Sequence, residues 1–216
     1  CLKVKKLHNQ STSMQNERKK ANLKGNRVLV LASGSPRRTE LLNSAGITHQ
    51  VVVSKGEELK LHPDGPLELV KQNARIKAVE VSNRYPDHLI LGADTIVSLN
   101  EKVFGKPRDL DQAKQMLLTL SGKTHLVSTG ICLCKKRECF LETRVESSKV
   151  TFKKIEDQII EEYFSEVDPL DKAGSYAMQT RPELIIEKFS GSRSNVVGLP
   201  MELLKNWFEE IGFKDI

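Results

Sequence analysis

The sequence predicts an α/β fold built on a mixed sheet, and three observations carry the prediction. Strand-like and helix-like stretches alternate from residue 27 onward, the pattern of a sheet covered by helices. Residues 88–99, His-Leu-Ile-Leu-Gly-Ala-Asp-Thr-Ile-Val-Ser-Leu, are the most apolar stretch and read as a central strand buried on both faces. Turns at Asn100-Glu101 and at Lys135–Glu138 join adjacent strand-like runs, so some pairs are antiparallel hairpins.

Each element has its own warrant. Val28-Leu29-Val30 lies within a first strand at 27–33. Pro36, whose missing N–H costs nothing at a first helical position, opens a helix at 36–45 that Gly46 stops, with Ser35 placed as N-cap. Residues 48–53 read as a second strand, and 54–66, with Gly56, Pro63, Gly65 and Pro66, as a loop. Leu69, Val70, Ala74, Ala78, Val79 and Val81 recur at helical spacing over 67–84, and Pro86 ends that helix. The 88–99 strand turns into a short strand at 102–104. A helix at 110–120 closes at Ser121-Gly122. Strands at 125–134 and 142–153, a helix at 155–165, a loop over 168–174, a strand at 184–189 and a helix at 200–211 follow.

The 216 residues suit one large domain or two small ones, and no apolar run reaches the length of a membrane span. The net charge of +6 is localised. Of 34 Lys/Arg and 28 Asp/Glu, residues 1–26 hold seven basic side chains and one acid, which leaves 27 of each sign for 27–216. The basic character therefore belongs to a polar, aperiodic stretch expected to be a disordered tail, and gives the domain at 27–216 no reason to bind nucleic acid. The start at Cys1 reads as a fragment or a processed chain. Cys132, Cys134 and Cys139 sit in or beside one strand without a Cys-x-x-Cys pair. They read as reduced thiols, which places the chain in the cytoplasm, rather than as zinc ligands or disulfides.

Chemistry concentrates at a few positions. Leu31-Ala32-Ser33-Gly34-Ser35-Pro36-Arg37-Arg38 reads as strand, small-residue turn and helix start. A helix N-terminus with Ser33 and two arginines suits an anion, phosphate first; the plain alternative is a capped helix with two solvated arginines. Asp94 interrupts the central apolar strand, and an unpaired buried carboxylate costs several kcal/mol or more, so it needs a partner or a function. Gly92 and Ala93 beside it are expected to leave room for a ligand. Glu57 and Glu58, in the 54–66 loop, are each ordinarily just solvated, but with Asp94 one of them completes an oxygen pair for Mg²⁺ or Mn²⁺. Lys106, between Gly105 and Pro107, and Lys77 on the 67–84 helix join Arg37 and Arg38 as four cations able to converge on a polyphosphate. Gln179, at the end of Asp171–Gln179, offers an amide that reads a base edge or simply caps a turn. Ser121-Gly122-Lys123-Thr124 imitates a phosphate-binding P-loop, but position 117 is Leu where that motif needs Gly, and the helix precedes rather than follows it.

Taken together these stretches resemble the Maf family of nucleoside triphosphate pyrophosphatases. The matching runs are LASGSPRR (31–38), GADT (92–95), GKP (105–107), QMLLTLSG (115–122), HLVSTG (125–130), DKAGSYAMQ (171–179) and NVVGLP (195–200), in the family's order and spacing. The resemblance implies a two-lobed, inosine-triphosphatase-like fold with a central nucleotide cleft, a homodimer, and hydrolysis of a nucleoside triphosphate between its α and β phosphates with a divalent metal, Mg²⁺ or Mn²⁺. By motif, Asp94 becomes the catalytic carboxylate, and Glu58 helps bind metal or activate water. Ser33, Arg37, Arg38, Lys77 and Lys106 hold phosphates. Arg37, Thr95 and Gln179 match the branch acting on dTTP and UTP, with CTP or modified pyrimidine nucleotides as further candidates. One departure stands out: where the family runs from Gln into glycines, this chain has Thr180-Arg181-Pro182-Glu183. That stretch is the support for a rival reading, a catalytically weakened nucleotide-binding regulatory protein.

Overall fold

The computed structural model describes residues 28–213; the basic segment 1–26 lies outside the described residues. Among the described residues seven strands form one mixed sheet. In chain order the elements are β1 (Leu29–Leu31), α1 (Pro36–Ser44), β2 (His49–Val51), α2 (Pro66–Arg84), β3 (Leu89–Leu99), β4 (Lys102–Phe104), α3 (Leu110–Leu120), β5 (Thr124–Lys135), β6 (Phe140–Phe152), α4 (Asp157–Glu166), α5 (Pro182–Ile185), β7 (Ile186–Ser190), α6 (Arg193–Val197) and α7 (Met201–Ile211). The strand order is β2-β1-β3-β5-β6-β7, with β4 also on β3. The β2-β1 and β1-β3 pairs are parallel, and the β3-β4, β3-β5, β5-β6 and β6-β7 pairs are antiparallel. The mixed α/β sheet expected from the sequence is the fold.

This topology opens a gap. β1 pairs with the first part of β3, at Leu89–Leu91, and β4 with its end, at Val97–Leu99. The Ala32 N–H still reaches Leu91 O at 2.8 Å, after which the chain leaves the sheet for α1. The stretch of β3 between, Gly92–Ile96, thus lacks a strand on that edge, and Asp94 sits at its centre. The opposite edge is fully paired to β5, with Asp94 against Gly130.

Alternation along β3 covers both faces of the sheet. Leu89, Leu91 and Ala93 pack with β1, α1 and α7 around the fully buried Trp207 and Phe208. Ile90 joins Ala74, Ala78 and Val81 of α2 on the other face. Further along, Val97 enters a separate core with Phe104, Leu117, Phe152, Tyr163 and Tyr176. The gap in β3 lies between these cores.

α2 lies unusually close to the sheet. A Cβ at Gly92 would stand 2.2 Å from Ala74 O, and one at Gly130 would stand 2.4 Å from Val70 O. The two glycines therefore seat the helix backbone on β3 and β5. This corrects the expectation that Gly92 leaves space for a ligand: the space is filled by α2.

Other differences from the sequence reading are local. β1 and β2 are shorter than expected because the chain departs to frame the gap. Ser35 occupies the N-cap position of α1 without a capping side-chain bond; its N–H instead donates to Ser33 Oγ at 3.3 Å. The strand expected at 184–189 is preceded by the helical turn α5, which Pro182 opens. α6 was not expected; Ser192 caps it by accepting from Asn195 N–H.

Gly92→Ala or Gly130→Ala is expected to cost about 3 kcal/mol, since backbone on both sides must move. Gly105→Ala, where nothing lies within 4 Å of the added carbon, serves as the control. Urea denaturation of the three variants checks the difference.

Candidate active site

The gap in β3 is the floor of a cleft of ≈ 920 Å³ that runs between the lobes. Ser33, Arg37, Arg38, Glu58, Lys77, Asp94, Thr95, Lys106 and Gln179 all line it. Residues 140 or more positions apart in the chain thus meet at one place, while Glu57 is not among the lining residues.

Asp94 and Glu58 share a cation. Lys77 Nζ stands 2.8 Å from Asp94 Oδ1 and 2.8 Å from Glu58 Oε2, and also donates to Ala93 O at 3.3 Å. The Lys77 and Asp94 side chains are each 11% exposed, whereas Glu58 is 49% exposed at the mouth. Asp94 Oδ2 accepts from Asn73 Nδ2 at 3.1 Å. Both partners of Asp94 come from α2, four residues apart and hence on one helix face. Asn73 was missed in the sequence, although its spacing from Lys77 is a usable signal once α2 is placed over Asp94.

The two arginines do different things. Arg38 is buried and ties three segments together: Nε donates to Gly198 O at 2.8 Å, one terminal nitrogen to Ser33 Oγ at 2.7 Å, and the other to Thr95 Oγ1 at 3.1 Å. Burial pulls its guanidinium down from the ordinary value, and the charge of Asp94 works against that. Thr95 Oγ1 also meets Thr129 Oγ1 at 2.9 Å, so it belongs to the bonded wall of the cleft. Arg37 is half-buried and reaches across to Asp171, at 2.6 Å from Oδ2 and 3.2 Å from the backbone oxygen. Burial alone would raise the Asp171 carboxyl, but hydrogen bonds from Lys172 and Arg37 hold it below its ordinary value. Lys60, also missed, lines the cleft, and like Lys106 it is exposed.

Within the Thr180–Glu183 stretch one residue takes a backbone conformation that favours glycine. Arg181 adopts φ 47°, a left-handed conformation that side chains rarely favour. Its guanidinium bonds Glu183 at 2.6 Å, Glu162 at 3.0 Å and Glu166. Glu162 and Glu166 hold the loop after Gln179 against α4, and Glu183 braces Arg181 from within the loop's own turn.

The donor set bears on a metal. Asp94 and Glu58 present the hard carboxylate oxygens that Mg²⁺ or Mn²⁺ takes. Among the described residues no group of three or more His, Cys, Asp or Glu is placed to hold an ion. Two carboxylates therefore fit an ion whose remaining ligands come from substrate oxygens or water, the ordinary arrangement for Mg²⁺ on phosphates.

Residues 28–211 match the family described as Maf-like protein. The chain belongs to the Maf-like family. A relative from Bacillus cereus (strain B4264), described as dTTP/UTP pyrophosphatase, is 42% identical over 178 residues, covering 82% of this chain and 92% of the relative. Another with the same description, from Bacillus anthracis (strain CDC 684 / NRRL 3495), is 41% identical over 178 residues with the same coverage. A solved HAM1 protein from Coxiella burnetii superposes at a TM-score of 0.47 and 11% identity, over 86% of this chain and 100% of that one. Among the described residues no helix is long and apolar enough to cross a membrane.

Behind the cleft wall, Tyr176 Oη lies 2.9 Å from Nε2 of the buried His125. Burial pulls His125 from 6.5 down to about 4. The unfolded chain therefore binds the extra proton first as pH falls. The contribution is complete above about pH 6.5 and is lost progressively toward pH 4. Stability is expected to drop by about 2 kcal/mol between pH 7 and pH 5 from this group. His125→Phe should flatten that part of the profile, as read by urea denaturation at each pH.

Proposed function

We propose that this protein hydrolyses dTTP and UTP to the nucleoside monophosphate and pyrophosphate, with CTP or modified pyrimidine nucleotides as further substrates. The observation that carries the reading is the meeting of the Glu58 and Asp94 carboxylates at Lys77 Nζ, on the floor of a cleft whose walls carry Arg37, Lys60 and Lys106. The descriptions of the relatives, both dTTP/UTP pyrophosphatases, support the choice of nucleotides.

In the proposed reaction Ser33, Arg37, Lys77 and Lys106 take up the triphosphate, with the positive charge of Arg38 behind them. Such fixed charges cost no reorganisation during the reaction and act strongly where water is excluded. A water oxygen bonds to the α-phosphorus. The bond from that phosphorus to the oxygen bridging toward the β-phosphate breaks, and pyrophosphate leaves with the electron pair. The proton of the water passes to a carboxylate, Asp94 first with Glu58 as its rival. Asp94 and Glu58 would hold Mg²⁺ or Mn²⁺ alongside the phosphates. The ion, when bound, supplies neutralisation of phosphate charge. Gln179 offers an amide donor and acceptor to the base edge, and Arg37 and Thr95 shape the wall beside it.

The test is pyrophosphate release from dTTP, UTP, CTP, GTP, 7-methyl-GTP and ITP with Mg²⁺ or Mn²⁺. The wild type is expected to turn over dTTP and UTP, and Asp94→Asn to lose about 1,000-fold or more in kcat with its cooperative unfolding retained. Full activity of Asp94→Asn, or no pyrophosphate from any nucleotide with the wild type, contradicts the proposal.

A further inference from the structure

We propose that Asn73 is the positioning residue that fixes the rotation of the Asp94 carboxylate and couples it to the loop carrying Glu58. The inference rests on the hydrolytic reading above.

The geometry is complete at one amide. Asn73 is 3% exposed and its side chain uses both hydrogen-bonding ends. Oδ1 accepts from the Leu59 N–H at 2.8 Å, and Nδ2 donates to Leu59 O at 3.0 Å and to Asp94 Oδ2 at 3.1 Å. The amide thus pairs with the backbone of the residue next to Glu58, as a neighbouring strand would, while its remaining N–H points at Asp94.

Two consequences follow from these contacts. A carboxylate held at one oxygen still turns about its terminal bond, whose torsional preference is broad. Lys77 takes Asp94 Oδ1 and Asn73 takes Oδ2, so the plane of the carboxylate is set by two groups on one rigid helix. The second concerns Glu58, which sits on the 54–66 loop with little burial of its own. Pinning Leu59 to Asn73 holds the Glu58 carboxylate where it meets Lys77. One buried amide therefore spaces the two carboxylates relative to each other. Misplacing a reacting group by about 1 Å costs on the order of 100-fold in rate, which gives this placement kinetic weight although Asn73 acts only through Asp94 and the Leu59 backbone.

The experiment compares the full chain with Asn73→Ala and Asn73→Asp. Steady-state dTTP hydrolysis is one readout, and amide hydrogen exchange at Leu59 in the nucleotide-free, metal-free protein is the other. Asn73→Ala removes every contact: kcat is expected to fall about 10- to 100-fold with KM within about 3-fold, and Leu59 exchange to quicken at least about 10-fold. Asn73→Asp keeps an acceptor for the Leu59 N–H but loses both donors and sets a like charge beside Asp94. It is expected to lower kcat as far while leaving Leu59 closer to its wild-type exchange. An active wild type with kcat within about 2-fold in both variants overturns the inference while leaving the hydrolytic reading standing. An inactive wild type overturns both.

Discussion

The approach of α2 to the sheet is the constraint on which the rest of the site depends. Two strands present no side chain where the helix crosses: Gly92 on β3 and Gly130 on β5, with the helix backbone at distances no Cβ would tolerate. Asp94, two residues after Gly92 on the same face of β3 and directly opposite Gly130, consequently lies under the helix rather than beside it. Asn73 and Lys77 then reach it by short, direct contacts. A helix standing farther off would leave a carboxylate within an apolar strand without partners, a state that costs several kcal/mol. The burial of Asp94 and its pairing are thus consequences of one packing decision.

The cations divide the electrostatic labour. Arg38 is spent on structure, joining Ser33, Thr95 and Gly198 across the lobes. Arg37 braces the Asp171 loop and remains half-exposed at the cleft. Lys77 balances two carboxylates, so the floor of the cleft carries net negative charge from these three side chains, while Lys60 and Lys106 at the walls carry positive charge. A triphosphate approaching the mouth meets cations, and a metal ion approaching the floor meets carboxylates. In the proposed reaction that separation of sign brings ion and phosphates together over Asp94.

Much of this was legible in the sequence. The central strand announced itself by composition, and Asp94 by breaking it. Lys77, Lys106 and the Arg37-Arg38 pair were recognisable as candidates because their elements could be placed in order, and the cleft does gather them. Contacts set by tertiary packing were not legible. Asn73 is an amide on a helix, and its meaning depends on which face lies against β3. Gly92 looked like room for a ligand because the seating of α2 on that face of β3 is a tertiary contact that no local pattern shows. Arg37 and Arg38 are neighbours with the same chemistry, and only the depth at which each emerges from α1 separates them. The α6 turn has too short an apolar pattern to register. The left-handed Arg181 is held by glutamates from α4 that no local rule connects to it.

The most direct test of the account is where the oxygen of water ends up. A single turnover of dTTP in oxygen-18 water should place one label in the phosphate of dTMP and none in pyrophosphate, because the proposed attack is at the α-phosphorus above Asp94. Label in pyrophosphate, or release of orthophosphate in its place, would contradict it.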